Sequence, residues 1–294
     1  MKIGFFGDGP WSHKAFNLLI NDNNFNIVFV CVRNDPGDKF LIELAKKEKI
    51  TVLQHEDINS KEFITKLKSF NADIFVSLAF NQIFKQDAIL LPHKGVINCH
   101  AGKLPTYRGR NILNWALIND EKEFGITVHF IDEGIDTGDI ITQKTFPITD
   151  KDNYASLLET AYEECGPIVL EALKKIISND FVRIKQKDLD IEPFYCIGRK
   201  PGDERLNWHQ ETREIFNFIR AVSNPGPNAR SYLNGKEIQI IASSYLENRP
   251  FYKGVCGSVV GIDQDDIIVK TKNTDIKITE YIFDGKIKIG DRFE

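Results

Sequence analysis

Five residues, Val96-Ile97-Asn98-Cys99-His100, constrain the fold more than any other stretch of the chain. The run from Gly95 to Cys99 is short, apolar and preceded by Pro92, which fits a buried strand of a mostly parallel sheet better than a helix. Alternate side chains on a strand share a face, so Asn98 and His100 point one way and Cys99 the other. The segment that follows, Ala101-Gly102-Lys103-Leu104-Pro105-Thr106-Tyr107-Arg108-Gly109-Arg110, cannot continue the strand. The polar pair is therefore left at the carboxyl end, where open α/β sheets bind ligands.

A third piece, Asp136-Thr137-Gly138-Asp139, offers a carboxylate on a turn whose glycine permits a positive φ. Carboxamide, imidazole and carboxylate together suit attack of a neutral amine on an acyl carbon. Asn98 can stabilise the oxyanion, and His100 can stabilise it too or accept the amine proton. Asp136, within hydrogen-bond reach, would raise the imidazole's proton affinity. No nucleophilic Ser or Cys is needed. Arg108 and Arg110, either side of Gly109, are candidates for carboxylate or phosphate recognition. His129, on a strand predicted over 125–131, reads as structural.

The remainder of the first half reads as the sheet around this strand. Further strands are expected at 2–6, 26–32, 51–53, 74–79 and 140–147, and a long helix at 154–177 with a kink or break at Gly166-Pro167. Gly7-Asp8-Gly9-Pro10-Trp11-Ser12 imitates a dinucleotide fingerprint, but Ser12 stands at its third glycine and Pro10 lies inside the loop. A plain strand-to-helix turn is expected there, which disfavours a dehydrogenase. The 5 cysteines include no Cys-x-x-Cys pair and the histidines lack metal-ligand spacing, so buried free thiols and no metal are predicted.

The 294 residues suit two domains, and 38 basic against 42 acidic side chains give a net charge of −4 with no global pull towards nucleic acid. No apolar run reaches the ~20 residues of a membrane span, so a soluble, cytoplasmic protein is expected. From residue 179 the pattern loosens into a linker rich in turn formers. A helix at 212–222 and short strands at 229–233, 236–243, 257–260, 267–270 and 275–281, with a hairpin at Asn234-Gly235, indicate a small open barrel. The expected plan is α/β: a Rossmann-like, mostly parallel sheet over 1–190, a linker over 191–205 and an OB-like β-barrel over 206–294.

Taken in order, Asn98-x-His100, Leu104-Pro105-x-Tyr107-Arg108-Gly109, Gly125-Ile126-Thr127-Val128 and Asp136-Thr137-Gly138-Asp139 resemble the 10-formyltetrahydrofolate-dependent formyltransferase family over most of the first 190 residues. The resemblance implies Asn98, His100 and Asp136 as the catalytic triad, with 10-formyltetrahydrofolate as cosubstrate. It implies folate contacts from the loop Gln82-Ile83-Phe84, from Asp132, Glu133, Gly134 and Ile135, and from Arg110. Gly198-Arg199-Lys200, Leu206-Asn207-Trp208-His209 and Arg220-Ala221-Val222-Ser223-Asn224-Pro225 resemble the branch that formylates nucleotide-linked amino sugars. The loop Arg33-Asn34-Asp35-Pro36-Gly37-Asp38 lacks the longer basic insertion of the tRNA-formylating branch.

The acceptor expected on these grounds is a nucleotide sugar, dTDP-4-amino-4,6-dideoxyglucose, bound for O-antigen or other lipopolysaccharide. Lys103, Arg199, Arg220, Asn224 and Arg230 are its candidate contacts. No nucleic-acid or membrane partner is expected, and a homodimer is compatible with the chain. The alternatives are a methionyl-tRNA formyltransferase, a UDP-4-amino-4-deoxyarabinose formyltransferase, or a folate- or nucleotide-binding module without turnover.

Overall fold

The computed structural model describes residues 1–246 and 248–294. Its first strand, β1 (Lys2–Gly7), is buried along nearly its whole length, as a central parallel strand covered on both faces must be. Gly4 is needed there, because an added Cβ would lie 2.3 Å from the Phe29 ring and 2.6 Å from that of Phe75. α1 (Pro10–Ile20), β2 (Asn26–Cys31), α2 (Lys39–Lys47), β3 (Thr51–Leu53), α3 (Lys61–Ser69), β4 (Ile74–Leu78), α4 (Gln86–Ile89) and β5 (Val96–His100) follow. Asp38 and Ser60 cap α2 and α3 by accepting from Leu41 N (3.1 Å) and Phe63 N (3.3 Å).

After β6 (Arg108–Gly109) and α5 (Ile112–Ile118), β7 (Glu123–Phe130) and β8 (Ile140–Pro147) complete a seven-stranded sheet of order β3-β2-β1-β4-β5-β7-β8. The strands from β3 to β5 run parallel, whereas β7 is antiparallel to β5. α6 (Tyr154–Ser178) remains one helix through Pro167, where a kink or break was expected. Gly166 lets it close on α1: a Cβ there would lie 2.9 Å from Ala15 N. β9 (Tyr195–Cys196) pairs with β6 in a separate two-stranded ladder.

The compact units do not follow the chain linearly. One comprises Met1–Gly109, Phe124–Phe146 and Glu159–Cys196; the other comprises Arg110–Glu123, Pro147–Leu158 and Ile197–Glu294. In the second unit α7 (Thr212–Val222) packs with α5, where Asn114 Nδ2 donates to Ala221 O at 2.5 Å. Five antiparallel strands, β10 (Ala229–Leu233), β11 (Lys236–Tyr245), β12 (Val259–Asp263), β13 (Asp266–Lys270) and β14 (Asp275–Ile282), form a sheet of order β10-β11-β14-β13-β12. Asn234 and Gly235 turn the hairpin with φ of 51° and 77°, as a two-residue turn of this type demands.

The expected barrel is not left open. Glu294 exchanges backbone hydrogen bonds with Tyr232, and Val259 N donates to Asp291 O at 2.8 Å while Phe293 N donates to Gly257 O at 2.9 Å. The final segment is therefore the stave that joins β10 to β12. Among the described residues, no helix is long and apolar enough to cross a membrane, and no group of three or more His, Cys, Asp and Glu could hold a metal ion.

Candidate active site

β5 places Asn98 and His100 on one face, while Cys99 Sγ turns away to reach Cys165 O on α6 at 3.9 Å. Asn98 lies opposite His129 of β7 in the ladder, and Asn98 Nδ2 reaches His129 Nε2 at 3.3 Å. Because β7 runs antiparallel, the loop after it starts near the amino end of β5, with Ile131 N donating to Val96 O at 2.8 Å. That loop folds back over the face and delivers Asp136. Its Oδ2 lies 3.6 Å from His100 Nδ1 and its Oδ1 lies 3.4 Å from His129 Nε2. Gly109 N donates to the same carboxylate at 2.9 Å.

His100 Nε2 lies 2.7 Å from Tyr107 O, and a carbonyl can only accept, so Nε2 carries the hydrogen and Nδ1 faces the acid. Likewise His129 Nδ1 donates to Phe130 O at 2.8 Å, which leaves Nε2 towards Asp136 and Asn98. His100 is 8% exposed and His129 2%. Burial pushes the His100 pKa down against the opposing pull of Asp136 and Tyr107 O, so the ring is neutral at neutral pH. Burial would raise the Asp136 pKa, but His100, His129 and the Gly109 N–H outweigh it and hold the carboxyl well below the usual range. The site thus pairs a neutral imidazole with a firmly ionised acid.

The loop after β5 is anchored beside them. Thr127 Oγ1 donates to Gly102 O at 2.6 Å, Gln143 Nε2 donates to Leu104 O at 2.9 Å, and the Leu104-Pro105 peptide is cis. Asn98, His100 and Asp136 are brought together, as the resemblance implies, with His129 between Asn98 and Asp136. His129 was read as structural, yet it touches two of them. The ladder register, which pairs it with Asn98, was the only signal for it.

The other predicted residues divide. Phe84 is core, 3% exposed and packed edge-on to Phe6, whereas Ile83 points outward from the same loop. The Gln82 side chain accepts from Ile58 N and donates to His55 O. Asp132, Glu133, Gly134 and Ile135 form an exposed loop tied by Asp132 Oδ1, which takes Gly134 N at 3.1 Å and the Thr137 hydroxyl. Ile83 and Ile135 are thus exposed aliphatic side chains on loops of one unit, and the polar residues of the acid's loop stand in solvent. These groups fit an amphipathic pterin and its aryl tail. Arg110 is exposed and belongs to the second unit. Arg108, expected to face a ligand, is instead 8% exposed, with its guanidinium fork on Gln186 Oε1 at 3.2 and 2.7 Å.

Of the residues assigned to a sugar nucleotide, Lys103 and Asn224 are exposed. Arg220 is buried, with its guanidinium on Thr149 O (2.6 Å), Asp152 O (3.2 Å) and Asn217 Oδ1 (3.0 Å). Arg230 pairs with Glu237 at 3.0 Å and Glu204 at 3.6 Å, and Arg199 lies against Phe218 with a bond to Asp203 O. Arg220 and Arg230 are therefore occupied within the second unit's own structure.

Residues 1–173 match the family model described as formyl transferase, and residues 199–291 match its carboxyl-terminal domain. A methionyl-tRNA formyltransferase of Halothermothrix orenii is 33% identical over 308 aligned positions, covering 100% of this chain and 96% of that protein. One from Thermodesulfovibrio yellowstonii is 36% identical over 252, covering 83% and 80%. Among solved structures, the sugar 3N-formyl transferase WlaRD is similar in fold, with TM-score 0.69, 23% identity and coverage of 95% and 97%. HypX from Aquifex aeolicus in complex with tetrahydrofolic acid matches with TM-score 0.62 and 21% identity over 96% of this chain, which spans only 44% of HypX.

These findings overturn the expected nucleotide-sugar acceptor and the expected absence of a nucleic-acid partner, because the curated relatives that match over nearly the whole chain are named for methionyl-tRNA. The nucleotide-sugar expectation rested on net charge, one short loop and the resemblance of three carboxyl-terminal segments to the sugar branch. A charge summed over the chain does not report the local field that meets a phosphate backbone. Both halves of the chain match one family in order, and the chain accordingly belongs to the formyl transferase family, enzymes of one-carbon transfer whose formyl donor is 10-formyltetrahydrofolate.

Proposed function

We propose that this enzyme transfers the formyl group of 10-formyltetrahydrofolate to the α-amino group of methionyl-tRNA. The observation that carries the reading is the full-length similarity to proteins of that name. The convergence of Asn98, His100, His129 and Asp136 supplies the chemistry.

The donor supplies an electrophilic formyl carbon. When a neutral amine adds to it, negative charge develops on the formyl oxygen. Asn98 holds one amide hydrogen towards His129 and has the second for that oxygen. His100 is anchored through Nε2–H to Tyr107 O, so Nδ1 is the atom free to take a proton from the attacking amine. The imidazolium then faces ionised Asp136 at 3.6 Å, where it is stabilised without the acid taking the proton, and it returns that proton to the donor's nitrogen as the donor carbon–nitrogen bond breaks and tetrahydrofolate leaves. In this reading Ile83 and Ile135 flank the donor, and Gln82 and Phe84 support their loop from within.

The test is incubation of the protein with 10-formyltetrahydrofolate and charged initiator tRNA, followed by mass measurement of the released methionine. A formyl mass gain that depends on both substrates is expected. Turnover confined to a dTDP-amino sugar control would refute the proposal.

A further inference from the structure

We propose that Gln186, acting with Arg108, is the positioning residue of Asp136, an inference that rests on the reading of Asp136 as part of the formyl-transfer machinery. Gln186 opens a short 3₁₀ turn, Gln186–Asp188, and is 4% exposed. Its Nε2 donates to Asp136 O at 2.9 Å and Gly138 O at 2.8 Å, while its Oε1 accepts both Nε and Nη2 of Arg108. All four hydrogen-bonding positions of the amide are filled. Its orientation is also fixed by chemistry, since a guanidinium only donates and a carbonyl only accepts. Turning the amide over would oppose like groups at both ends.

What the amide joins explains why this matters for the acid. Asp136 adopts a left-handed φ of 54°, a conformation that aspartate tolerates and that fixes the direction of both its carboxylate and its carbonyl. Gln186 holds that residue's own carbonyl. Arg108 belongs to β6, and the next residue in that strand, Gly109, gives the N–H that meets Asp136 Oδ2 at 2.9 Å. One buried amide therefore ties the backbone of the acid to the strand that feeds a donor to its carboxylate. Tyr195 completes the support, its hydroxyl 3.3 Å from Arg108 Nη1 and its ring centroid 5.5 Å from the guanidinium carbon.

Gln186→Glu separates positioning from packing. The variant keeps the size of the side chain and its Arg108 partner but turns oxygen lone pairs towards the two carbonyls. The expected result is a kcat lower by roughly 30- to 100-fold, as for a displacement of about 1 Å at a reacting group, with KM for both substrates within about threefold in the same assay. In single-turnover measurements on Asp136→Asn enzyme, adding Gln186→Glu should cause no further loss, because both changes act on one group. Gln186→Met provides a second variant, and thermal unfolding shows whether each is folded. A folded Gln186→Glu enzyme with parental kcat, a defect confined to KM, or a loss that adds fully to that of Asp136→Asn would overturn the proposal. If Asp136→Asn itself retained parental kcat, the reading of the acid would fall instead, so the two failures are distinguishable.

Discussion

Two strand ends in the same sheet, those of β1 and β5, both carry an imidazole and a carboxylate, yet the chain's own groups meet them differently. After β1, Asp38 accepts from Gly9 N (2.7 Å) and Leu41 N (3.1 Å) and lies 2.6 Å from His13 Nε2, while Asp8 pairs with Arg33 at 3.0 Å. Asp38 thus occupies the amide at the start of α1 that a dinucleotide phosphate would need. After β5, the carboxylate again meets donors, but they bracket a carboxamide with a spare hydrogen and an imidazole with an anchored back and a free front. Residue types alone do not make a site. What separates the two ends is whether any donor or acceptor remains aimed outward once the chain has satisfied itself.

The difference can be tested most severely at Asp136. Asp136→Asn keeps the shape but removes the charge that stabilises imidazolium, and kcat for formyl transfer should fall by about 10³-fold or more. A tenfold effect would mean that the acid is no more special than Asp38. Asn98→Ala removes one oxyanion donor, and steady-state kinetics should show kcat lower by about 10²- to 10³-fold with little change in KM.

The pH profile comes next. His100 must be neutral to accept a proton, and burial lowers its pKa, so the rate should rise with pH through a value below the ordinary imidazole range and be level by neutral pH. An acid limb above that range would contradict the assignment. The same sign governs stability. Asp136, with a depressed folded pKa, contributes stability that is present above the unfolded carboxylate pKa and is lost as pH falls through the folded one.

The smallest effect on catalysis belongs to the other strand end. Asp38→Ala removes a helix cap and the partner of His13, costing on the order of 2 kcal/mol in denaturant titration, while kcat should stay within about twofold. A collapse of turnover in folded Asp38→Ala protein would erase the contrast between the ends.

Much of this was legible beforehand because strand periodicity is short-ranged. Alternation put Asn98 and His100 on one face, the asparagine-glycine pair marked the hairpin, and Pro10 marked the turn from β1 into α1. Contacts that depend on register or on long loops were not legible. His129 enters the site only because β7 pairs antiparallel with β5, and Gln186 reaches Asp136 from 50 residues away. Two of the basic residues misled for a related reason. Arg108 and Arg220 look like ligand contacts in one dimension, but both bury their guanidinium groups against the chain's own oxygens. The acceptor was misjudged because total charge and loop length carry little information about which polymer a surface meets.

The stave formed by the final residues makes the second unit a ring without a rim. An open five-stranded sheet would offer two unpaired edges to any neighbouring chain, and here residues 290–294 pair with part of both while Glu204–Leu206 pairs with the rest of β10 at Arg230. Trimming residues 291–294 would uncover the backbone groups of Tyr232 in β10 and of Gly257 and Val259 at β12 together, opening an adhesive gap on each border. The hazard from a short truncation is therefore self-association, disproportionate to the length removed.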